Sequence, residues 1–67
     1  MNKKMLETWY SLFESRLSTF ELKIHFVKFM VTEFEDRAND EQNPNRDEDK
    51  CILNFFKEKQ YELSRQL

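Results

Sequence analysis

The sequence predicts an all-α fold, a small helical hairpin or three-helix arrangement with helices over residues 3–17, 19–38 and 46–66, completed by dimerisation. Residues 1–67 are read as a single helical domain. Three observations carry this expectation. The 67 residues include no Gly, so tight primed hairpin turns, phosphate-cradling loops and nucleophile elbows lack the residue that lets the backbone reach positive φ or approach closely. Apolar residues recur at spacings of three and four through most of the chain. Asn, Asp and Pro cluster in one place only, NDEQNPNR at positions 39–46, which marks a loop.

In the first segment, Leu6, Trp9, Phe13 and Phe20 fall together on a wheel of ~100° per residue, with Met5 and Leu12 at one margin and Tyr10 and Leu17 at the other. Glu7, Ser11, Glu14, Ser15 and Ser18 take the opposite side. Ser18 and Glu21 have the spacing of a capping box, with Leu17 and Leu22 placed as its hydrophobic staple, and so signal a boundary. The competing reading is one helix of about 35 residues, because Phe20, Ile24, Val27, Val31, Phe34 and Ala38 continue in phase with Leu6, Trp9 and Phe13. Two helices with a turn near Ser18 accord better with mean helix lengths of about 11 or 12.

The second segment opens with FELKIHFVKFMVTEF at positions 20–34, the most apolar stretch in the chain. Leu22, Ile24 and Phe26 alternate with Lys23 and His25 as a strand would, but no other segment offers a mate. Helix is therefore predicted. The wheel places Phe20, Ile24, Val27, Val31 and Phe34 on one side, and Leu22, Phe26, Phe29 and Met30 on much of the other. A helix apolar on two sides has two things to pack against. Flanking helices of the same chain could cover both. The alternative favoured here is that Leu22, Phe26, Phe29 and Met30 form a dimer or partner interface, because soluble monomers rarely leave so large an apolar patch uncovered.

The third helix is predicted to start between Pro44 and Asp47, since Pro44 disfavours helix at Asn43. Asp47, Glu48 and Asp49 suit the positive end of its dipole, and Lys57, Lys59 and Arg65 lie toward the other end. Ile52, Phe56, Leu63 and Leu67 form its core stripe, widened by Leu53 and Phe55.

Charge is unevenly distributed. Between Glu33 and Asp49, eight acidic residues face only Arg37 and Arg46, a local net of −6, so the remainder carries +4 to reach the overall −2. Glu33, Glu35, Asp36, Asp40, Glu41, Asp47, Glu48 and Asp49 form a candidate acidic patch that would orient the chain on a basic surface of a larger protein. The bland alternative is a solvated loop flanked by favourable helix-end charges.

Several chemistries have no support. A lone Cys51 and a lone His25 supply neither an internal disulfide nor a Cys/His zinc cage. In a calcium-loop register beginning at Asn39, Pro44 stands where Gly belongs and Lys50 where the bidentate Glu belongs. His25 and Glu21 lie one turn apart on a polar stripe with Lys28 and Thr32, a surface rather than a cleft. No catalytic residue, metal or cofactor is therefore expected. Lys3, Lys4, Arg16, Lys23 and Lys28 are scattered and the pI is near 5.4, so direct nucleic-acid binding is not expected. No apolar run approaches the ~20 residues of a membrane span, and a reducing, cytoplasmic location is expected.

A chain this short buries only about 60% of the surface its unfolded form exposes. With disulfide and metal set aside, oligomerisation or a partner is the remaining source of stability. The sequence thus predicts a non-enzymatic intracellular regulator or adaptor, an inhibitor or antirepressor-like binder of a larger protein, acting as a homodimer. A small helical DNA-associated transcription regulator and a structural subunit of a larger assembly are the alternatives.

Overall fold

The computed structural model describes residues 2–66 as three helices joined by two short connections: α1 (Lys3–Glu14), α2 (Phe20–Asn39) and α3 (Arg46–Ser64). Residues 3–38 thus make two helices and not one. The expected boundaries shift at this first connection: α1 stops short of residue 17 and α2 begins one residue late.

The reason for that late start is the cap. Thr19, not Ser18, adopts the extended cap conformation, and its Oγ1 accepts a hydrogen bond from the Leu22 N–H at 3.1 Å. The Ser18–Glu21 box is therefore replaced by a simple Thr cap, with Glu21 left in the first turn, where its charge complements the helix dipole. Thr19→Ala should cost about 1 kcal/mol in a urea titration, whereas Ser18→Ala should change the midpoint little. Equal losses would show that the cap is misassigned.

α1 starts less favourably. Asn2 caps it, its Oδ1 accepting from the Met5 N–H at 2.8 Å, but its first turn holds Lys3 and Lys4 and no acidic residue, which opposes the dipole. At 12 residues it is also at the length where isolated helices are marginal. Packing must hold it.

That packing is aromatic. The core joins Leu6 and Tyr10 of α1, Val27, Val31 and Ala38 of α2, and Ile52, Leu53, Phe55, Phe56 and Leu63 of α3. Phe56 is fully enclosed and meets five rings, with centroids at 6.0 Å from Trp9, 6.2 Å from Tyr10, 6.1 Å from Phe26, 6.4 Å from Phe34 and 5.3 Å from Phe55. α2 and α3 form the main hairpin, and α1 packs against it. Tyr10, expected at a margin of α1, is buried with Leu6, while Trp9 and Phe13 are only half-buried. The predicted stripe residue Leu67 lies outside the described residues.

The connection from α2 to α3 is fixed by side chains. The Asn43 Nδ2 donates to the Arg37 carbonyl at 3.0 Å and to the Asp49 Oδ2 at 2.7 Å, and its Oδ1 accepts from the Asn45 N–H at 3.0 Å. Asp40 Oδ1 accepts from the Gln42 N–H at 3.0 Å, the local turn this residue type favours. From the far side Arg46 Nε donates to the Ala38 carbonyl at 3.0 Å, satisfying an acceptor at the end of α2.

Candidate functional site

The four side chains expected to share one uncovered face of α2 are divided by the fold. Phe26 turns inward, stacking on Phe13 of α1 with centroids 5.2 Å apart and meeting Phe56 edge-on. Met30 also packs against the core. Leu22 and Phe29 stay exposed, Phe29 at 60%. Helix α1 is what covers Phe26.

In covering Phe26, α1 brings an apolar flank of its own. Met5 and Leu12 are exposed, Leu12 at 63%, and Met5, Trp9 and Leu12 line a shallow depression with Lys4 and Thr8. Leu12, Trp9 and Phe13 border a neighbouring one with Arg16. The Trp9 and Phe13 rings meet edge-on at 4.6 Å, and Phe13 stacks on Phe26. An aromatic chain, Trp9 to Phe13 to Phe26, therefore joins α1 to α2, and Leu22 and Phe29 lie one turn either side of Phe26 along α2. Periodicity puts Met5 and Leu12 beside a core face and carries no sign that they stay uncovered. That depends on α1 docking through Leu6 and Tyr10.

The expected acidic patch is also divided. Glu33, Glu35, Asp36, Asp40, Glu41, Asp47 and Glu48 are exposed. Asp49 is not: it is 7% exposed, and its carboxylate accepts from Asn43 in the hinge between α2 and α3. Glu35 faces Lys57 at 3.7 Å, with both side chains about half in water, a pairing of small energetic weight.

Burial, then the negative charges of Glu14 and Glu62, raise the Tyr10 phenol above its ordinary value, and Lys59 lies over its ring at 5.2 Å. This is a packing arrangement with a satisfied cation. Cys51 is exposed beside Leu6 and Phe55. Among the described residues no group of three or more His, Cys, Asp and Glu side chains is placed to hold a metal ion. No helix among them is long and apolar enough to cross a membrane. Comparisons with known protein families, with curated proteins and with solved structures returned no match.

Proposed function

We propose that the protein is a non-enzymatic interaction module of the regulator or adaptor kind, which acts by laying the joined apolar face of α1 and α2 against another protein. One observation carries the reading. Met5, Leu12, Leu22 and Phe29 stand exposed, on two helices that the Trp9, Phe13 and Phe26 rings join. Exposed apolar groups set on helices that share an aromatic cluster have the anatomy of a binding surface, in which a few large side chains dominate the energy. The acidic residues from Glu33 to Glu48 begin at one edge of this face, with Glu33 one turn beyond Phe29, and supply orientation through charge.

The test is a double substitution, Leu12→Asp with Phe29→Asp. Both side chains are mostly in water already, so helicity and the urea midpoint should stay within about 0.5 kcal/mol per site. Association should be lost. In affinity capture from the native cell, proteins retained by the wild-type chain should be absent with the variant. Identical capture by the two chains would end the reading.

A further inference from the structure

Helices α1 and α2 present the same template in two copies of opposite charge. On α1 and the turn that follows it the order is Lys4, Met5, Trp9, Leu12, Arg16; on α2 it is Glu21, Leu22, Phe26, Phe29, Glu33. Every member of the second set lies 17 positions after its counterpart. In each helix the outer apolar pair is exposed and the central aromatic is half-buried. Met5 to Leu12 and Leu22 to Phe29 are both steps of seven residues, two turns or about 10.5 Å of helix. The flanking charges are basic on one template and acidic on the other. All four are exposed, and none of them is in an ion pair within the described residues.

We propose that the occupant of this face is a second copy of the same chain, related by a two-fold axis, so that α1 of one copy runs alongside α2 of the other. The inference rests on the proposed interaction face and names its partner. In this register Met5 meets the other copy's Leu22 and Leu12 meets Phe29, with the half-buried Trp9 and Phe26 beneath them, while Lys4 and Arg16 come opposite Glu21 and Glu33. A two-fold contact is self-complementary: where one patch meets a second, the second meets the first in return. Every match is thus made twice. The two templates cannot satisfy each other within one chain, because the fold leaves Met5, Leu12, Leu22 and Phe29 in solvent. Equal spacing lets the apolar side chains interleave along both helices, and opposite flanking charges select this register over a slipped one.

The experiment is sedimentation equilibrium of the full chain with two charge reversals, Arg16→Glu and Glu33→Arg. The wild-type chain should dimerise at micromolar concentration. Each variant alone sets like charges opposite each other at both symmetry-related positions, and its dimer should weaken by about tenfold. An equimolar mixture should recover the wild-type affinity. In the mixed dimer the Glu introduced by Arg16→Glu faces the Arg introduced by Glu33→Arg, and the second pair keeps its native Arg16 and Glu33. Wild-type chain that remains monomeric at about 100 µM, or a mixture no tighter than its components, overturns the proposal. A monomer that still captures a cellular protein through Leu12 and Phe29 removes the second copy as partner but leaves the interaction face standing. A monomer that captures nothing through them removes both.

Discussion

Phe56→Ala is expected to leave the chain largely unfolded at 37 °C. Replacing a buried Phe by Ala costs about 3–5 kcal/mol, and a domain of this size has little more than that in hand. The geometry argues for the upper part of the range. The Phe56 ring is fully enclosed and, among the described residues, is the only one in contact with aromatic rings from all three helices. With it gone, α1 keeps Leu6 and Tyr10 but loses the centre they pack around. The cavity is bordered by rigid rings that cannot close over it without moving a helix, which is the condition for a large penalty. Far-ultraviolet circular dichroism and the fluorescence of Trp9, the sole Trp, should report the loss together in a urea titration. A cost below about 1 kcal/mol would mean that the rings rearrange freely, and the described core would be wrong.

Asn43→Ala is expected to cost about 2–3 kcal/mol, a large effect for a residue in a loop. The substitution removes three hydrogen bonds, but those with the Arg37 carbonyl and the Asn45 N–H are exposed and contribute little. The larger part of the cost lies at Asp49. Its carboxylate is mostly withdrawn from water, and a buried acceptor stripped of its donor bears the full cost of desolvation. The discriminating measurement is a double-mutant cycle. Asp49→Ala alone should also destabilise, but adding it to Asn43→Ala should cost far less than the sum, because the stranded charge is then absent. Additive losses would separate the two residues and refute the clamp.

The contrast between these two residues shows what the sequence could and could not disclose. Phe56 belongs to a stripe with helical period, as do Val27 and Val31, and periodicity identifies such residues without knowledge of their neighbours. The loop at 39–46 and the start of α3 follow from Pro44 and the residues around it. Asp49 reads as one of three acids at a helix start, and only the side chain of Asn43, six positions earlier, withdraws it from the surface. Tyr10 and Leu12 stand at opposite margins of one apolar arc, and the wheel cannot say which margin tips toward the hairpin. Likewise Phe26 and Phe29 are nearly one turn apart on α2. Their different fates are decided by Phe13, on another helix. Ser18 and Thr19 are adjacent hydroxyls that could each cap a helix, so the local pattern alone could not choose between them.

Among the described residues no backbone position has positive φ, and the chain has no Gly. Both connections are thus made from conformations open to every L-amino acid. In many folds a turn admits one residue type on steric grounds, and that position becomes fixed over evolutionary time. Here no such anchor exists. Residues 15–19 and 40–45 are held to their identities by what their side chains bond to, and a different set of bonds could hold the same backbone path. The backbone of the connections therefore imposes no residue type of its own, and the positions in them that resist substitution are those whose side chains bond, Thr19 and Asn43.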